Sequence, residues 1–144
     1  MTYRLNVLSK LNDMLSQELY LGASGLSLPE ARCIAAVGSV SGEPTVNEVA
    51  FETNLDKAQV SRTVKLLVNR GLMDKRPSSE DGRCVRLKLT PQGRASWEKV
   101  MTLIRQRNLD LLQCLSELEQ AQLADMLERM LQRARQQLSS SRLG

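Results

Sequence analysis

"TVNEVAFETNLDKAQVSRTVKLLVNRG", residues 45–71, holds two helical patterns with almost nothing between them. Thr45 stands as an N-cap before a short helix from Val46 to Thr53, with Val49 and Ala50 on its apolar side. Asn54 follows, a residue that tolerates the left-handed backbone of a tight inter-helix turn, and Leu55 anchors that turn. Asp56 is a good N-cap for a second helix, whose Val60, Val64, Leu67 and Val68 share one face and which Gly71 ends. The spacing predicts helices of about 8 and about 14 residues across a turn of about three, a helix-turn-helix.

Toward the C-terminus, Leu72–Arg76 reads as a strand, Pro77–Gly82 as a loop and Arg83–Leu89 as a second strand. In the second strand Val85, Leu87 and Leu89 alternate with Cys84, Arg86 and Lys88, so one face is apolar and the other carries cations. Thr90-Pro91 opens a long helix to about Cys114, with Thr as N-cap and Pro in the first turn. Ser116-Glu117-Leu118-Glu119 is a capping box that starts a final helix bearing Leu123, Met126, Leu127, Met130 and Leu131. Toward the N-terminus, Ser27-Leu28-Pro29-Glu30 opens a helix that stops near Gly38 or Gly42. Before it, Tyr3–Leu21 is amphipathic and ends at Gly22 or Gly25. The fold class expected is mainly α with a small β-hairpin wing.

Composition narrows the function. Histidine is absent, which removes the commonest general base and metal ligand. Cys33, Cys84 and Cys114 are odd in number and far apart, unlike a zinc site or a disulfide framework. No metal or cofactor is expected, and no enzyme motif is present. No run approaches the roughly 18 apolar residues of a membrane helix, and the first residues lack a signal peptide's apolar region, so a cytoplasmic protein without a membrane partner is expected. The net charge is +4, yet residues 57–94 hold ten Lys/Arg against three acids, a local +7. Positive charge gathered in one sub-region is the footprint of a polyanion partner.

A helix-turn-helix followed directly by a hairpin is a winged helix, and its second helix fits a major groove about 12 Å wide. Outward polar side chains there are Lys57, Gln59, Ser61, Arg62 and Lys65. Lys57, Ser61 and Thr63 suit phosphate, whereas Gln59 and Arg62 suit base edges. On the wing, Arg83 is placed to enter a minor groove and Arg86 adds a DNA-facing cation, while Asp81 holds the tip in shape.

Residues 45–94 resemble the MarR family of bacterial transcriptional regulators. The family's D-x-R-x-x-x-L-x-L-T wing signature stands here as Asp81-Gly82-Arg83-Cys84-Val85-Arg86-Leu87-Lys88-Leu89-Thr90. "QVSRTVKLLVNRGLMDKR" is similar to the family's recognition helix and first wing strand, and "TPQGR" to its next helix start. Asn54 departs from the more usual Gly of the turn. The resemblance implies one domain over 1–144, with the winged helix at 45–94, dimerisation helices at 1–26 and 95–138 and a flexible tail at 139–144. It further implies a homodimer on a pseudo-palindromic double-stranded operator, acting as a repressor released by a small aromatic or anionic effector. Candidate effector-pocket residues are Tyr20, Arg32 and Trp97. Two other readings are a winged-helix module for protein or RNA contacts and a thiol-based sensor acting through Cys84. Few exposed aromatics weigh against RNA stacking, and the +7 segment against a pure protein adaptor.

Overall fold

The structure, a computed structural model, describes residues 1–78 and 84–141. Among the described residues there are six helices and one two-stranded sheet: α1 Thr2–Ser24, α2 Leu28–Ser39, α3 Val46–Thr53, α4 Lys57–Asn69, β1 Met73–Pro77, β2 Val85–Leu89, α5 Pro91–Leu112 and α6 Glu117–Ser141. Packing divides the chain into two units, Met1–Arg105 and Gln106–Gly144. No helix among the described residues is long and apolar enough to cross a membrane.

Caps set the element boundaries. Ser27, Thr45 and Asp56 each accept from the backbone N–H three residues on, and Glu30, Glu48 and Gln59 reach back to the cap's own N–H. Each reciprocal pair satisfies two helix-start donors that would otherwise lack partners. Asn54 takes φ 54°, so the left-handed turn between α3 and α4 is built on asparagine. At the far end of α4, Gly71 adopts φ 70° and lets Leu72 N–H reach the Leu67 carbonyl at 2.9 Å. That bond and the one from Gly71 N–H to the Val68 carbonyl form a Schellman stop, which aims the chain into β1.

Several boundaries differ from expectation. α1 continues through Gly22 to Ser24 before Gly25 (φ 66°) ends it. α6 runs to Ser141, so residues 139–141, expected in a flexible tail, are helical; 142–144 lie outside the described residues. Near its end, the Ser139 and Ser140 hydroxyls donate to the Arg135 and Gln136 carbonyls one turn back.

The core belongs to the first unit. Ile34, Val49, Val60, Val64, Leu67, Met73, Leu87 and Val100 are wholly or almost wholly buried, drawn from α2, α3, α4, both strands and α5. The strands pair antiparallel with Met73 opposite Leu89 and Lys75 opposite Leu87. Thr45 forms an isolated bridge to Arg86, and Leu87 N–H donates to the Pro44 carbonyl at 2.9 Å. The chain before α3 thus pins the outer edge of β2, a third rung that the hairpin reading missed. In the second unit none of residues 106–140 is buried. Leu118, Met126, Leu127, Met130, Leu131 and Leu138 of α6 are exposed, as are Leu8, Leu11, Met14 and Leu15 of α1.

One ion pair ties the winged helix to α2. The buried Glu30 carboxylate takes the Ser27 N–H at 2.8 Å and the Arg70 guanidinium at 2.7 Å. Burial alone would raise its pKa, but the Ser27 and Arg70 bonds outweigh it and hold the group below its ordinary 4.5. A depressed folded pKa contributes stability above the unfolded value, and that stability is lost as pH falls through the folded one. Glu30→Gln should therefore be less stable than wild type at pH 7. Thermal melts should show the gap closing as pH drops below about 4.5.

Candidate nucleic-acid interface

α4 sorts its residues cleanly. Val60, Thr63, Val64 and Leu67 face the core, while Lys57, Ala58, Gln59, Ser61, Arg62, Lys65, Leu66 and Asn69 are exposed. Lys57, Ser61, Arg62 and Lys65 therefore stand where the sequence puts them. Thr63 does not. It is only 6% exposed, so it packs on the core side of α4 rather than on the exposed face. Its position one turn after Val60 and one turn before Leu67 carried that signal. Gln59 is exposed but committed to the cap: its side-chain oxygen accepts from Asp56 N–H at 3.1 Å.

On the wing, Lys75 and Arg76 of β1 and Lys88 of β2 are exposed, extending positive charge beyond α4. Arg86 differs from its expected outward role. Its Nη1 donates to the Glu43 carbonyl at 3.1 Å and lies 3.8 Å from the Glu48 carboxylate, so it is half-buried against the start of α3. The Thr45 bridge draws it inward. Arg83 and Asp81 lie outside the described residues. Cys84 is half-buried, Cys114 is exposed, and burial, then the Glu30 charge, pushes the Cys33 thiol up to about 12. At neutral pH Cys33 is an inert core group.

Behind this face is a cleft of about 950 Å³. Tyr20 of α1, Ala31, Arg32, Ala35 and Ala36 of α2, Phe51 of α3, Arg86 of β2 and Met101 and Ile104 of α5 line it. Alanines on α2 leave the space open, and Phe51 lies at its wall, 64% exposed. Tyr20 and Arg32 thus meet there. Trp97 does not line it. Its ring packs on Gly38 beneath the Arg94 guanidinium, 5.1 Å from the ring centre, and Nε1 donates to Ser39 Oγ at 3.3 Å. Trp97 is a brace between α2 and α5. Arg32 is paired with Asp13, and Glu43, Glu48 and Glu52 add carboxylates to the lining.

A MarR/EmrR family transcriptional regulator from Acinetobacter sp. ADP1 has the same architecture, with a TM-score of 0.83 and 30% identity over 94% of each chain. The chain belongs to the MarR family. Residues 24–83 also match the sequence model of that family. The HTH-type transcriptional regulator BilQ of Clostridium symbiosum is 27% identical over 110 residues, 76% of each protein. The PcaV transcriptional regulator of Streptomyces coelicolor, solved in complex with its natural ligand, is 25% identical with a TM-score of 0.71, covering 88% of this chain and 91% of that one. This MarR-family protein is a DNA-binding transcriptional regulator with a winged helix.

Proposed function

We propose that this MarR-family protein is a homodimeric repressor that grips a pseudo-palindromic operator and leaves it when a small molecule fills the cleft lined by α2, α3 and β2. The observation that carries the reading is α4, whose cations and polar groups lie bare on one side while the other side is core. Lys57, Ser61 and Lys65 hold phosphates, Arg62 reads a base, and Lys75, Arg76 and Lys88 extend the contact along the wing. Arg83 would enter the adjacent minor groove, as the wing signature implies.

The dimer is supported by apolar rows that one chain leaves uncovered. α1 and α6 each expose a ladder of Leu and Met, far more than a monomer in water ordinarily shows. A second copy is the economical cover, because an isologous contact buries the same row twice. In this reading residues 1–26 and 95–138 are the dimerisation helices.

PcaV's bound natural ligand supports a small-molecule occupant for the cleft. Charge favours a neutral aromatic over an anion: Arg32 already has Asp13, Arg86 has Glu48 and Glu43 has Lys88, and Glu52 would repel a carboxylate. Arg86 touches both cleft and wing, so an occupant that shifts it would be felt by β2.

Light scattering should give about twice the 16.1 kDa chain mass. Footprinting on DNA flanking the protein's own gene should protect two half-sites about 10 bp, or a multiple of one turn, apart. A monomer at micromolar concentration, or a single unpaired footprint, overturns the reading. A benzoate-type anion and its neutral amide, titrated against the complex, should release DNA in the order amide before anion.

A further inference from the structure

Within the DNA reading proposed above, Ala58 on α4's outer face has no assigned part. At about 3.6 residues per turn, the direction opposite Val60, Val64 and Leu67 is occupied by Ala58, Arg62, Lys65 and Asn69. Lys57, Ser61 and Gln59 stand on the flanks of that face. Ala58 is exposed, although it sits in the first turn of a helix whose other apolar residues are mostly buried. A methyl group there lets the helix backbone come close to a base edge.

We propose that Ala58 reads the 5-methyl group of a thymine in each half-site, within about two base pairs of the pair that Arg62 reads. The thymine methyl is the one apolar group that base pairs present in the major groove, and alanine is among the residues suited to it. The usual alternative for the same T·A pair is an amide fork on adenine, but the Gln59 oxygen is held at the helix start by Asp56 N–H. Recognition of that pair passes to Ala58. The spacing follows from the helix: Ala58 and Arg62 are one turn apart, about 6 Å along the axis, against about 3.4 Å per base-pair step.

The test uses the full-length protein and its footprinted operator, with each thymine replaced in turn by deoxyuridine, which deletes only the methyl. For wild type, one symmetric pair of thymines should stand out, each replacement weakening binding about fourfold, the worth of one buried methyl-sized group. Ala58→Gly should bind both versions equally at that pair and respond like wild type elsewhere. Ala58→Ser, which keeps a good helix start, should likewise lose most of the thymine preference. Because the reading is a ratio within each variant, a loss of folding or overall affinity cancels. A flat scan in wild type that still binds its operator tightly overturns the inference, as does an unchanged thymine preference in Ala58→Gly. Binding by wild type that ignores sequence altogether overturns the operator reading itself, and this inference with it.

Discussion

Gly93→Ala is expected to lower the unfolding temperature by about 10 °C, against what helix propensity alone would give. Gly93 is the third residue of α5, and alanine in a helix is favoured over glycine by about 1 kcal/mol. Here the space is already filled. A Cβ on Gly93 would fall on the carbonyl of Leu72, which is backbone and cannot rotate aside. That carbonyl is also fixed as the acceptor for Thr90 N–H at 3.2 Å. Thr90 binds on both sides, its hydroxyl donating to the Gly71 carbonyl at 2.7 Å and accepting from Gly93 N–H at 3.0 Å. Relieving the clash means prising α5 from the end of α4, and overpacking of this kind costs about 3 kcal/mol where the neighbour cannot yield. Gly22→Ala is the control. It lies exposed within α1 with nothing near its absent Cβ, so the same change should leave stability equal or higher by about 0.5–1 kcal/mol. Thermal melts at one fixed concentration check both, and a stabilised Gly93→Ala would show that Leu72 is not held where it stands.

Much of this fold is written in local chemistry. Ser27, Thr45, Asp56, Thr90 and Ser116 each sit directly before a helix, and each cap forms, because a side-chain cap needs only residues three apart. Gly25, Asn54 and Gly71 mark left-handed positions for the same reason. The site was less legible where it depends on residues distant in sequence. Thr63 reads as a phosphate ligand by chemistry, yet its place on the helix faces it inward. Arg86 reads as an outward cation by strand alternation, but the bridge from Thr45 draws it toward Glu43 and Glu48, some forty residues away in the chain. Trp97 reads either as a candidate pocket residue or as a core anchor, and Gly38, which leaves room for its ring, shows it to be a brace. The Gly of "TPQGR" has its physical reason in Leu72, a neighbour no local pattern names.

Arg62→Ala should weaken operator binding by about 30-fold or more, and most of that decrease should be in discrimination. Arg62 is at the middle of α4's outer face, exposed, and among the described residues no ion pair joins it to an acid. A guanidinium there can bind O6 and N7 of a guanine with two parallel bonds, worth about 1–3 kcal/mol against the wrong base. A symmetric dimer makes the contact twice, so about 2–6 kcal/mol separates operator from non-operator DNA. The fold should survive, since the packed side of α4 is Val60, Thr63, Val64 and Leu67. Lys65→Ala offers the contrast. It lies on the same exposed face, but as a point charge facing phosphate its removal should weaken operator and shuffled duplex alike. It should also flatten the dependence of log affinity on log salt by roughly one for each phosphate no longer neutralised. Titrations of wild type and both variants against operator and shuffled DNA, at several salt concentrations, separate the two modes. If Arg62→Ala weakened binding equally for both duplexes, Arg62 would be a backbone contact, and base reading would have to come from other residues on that face of α4.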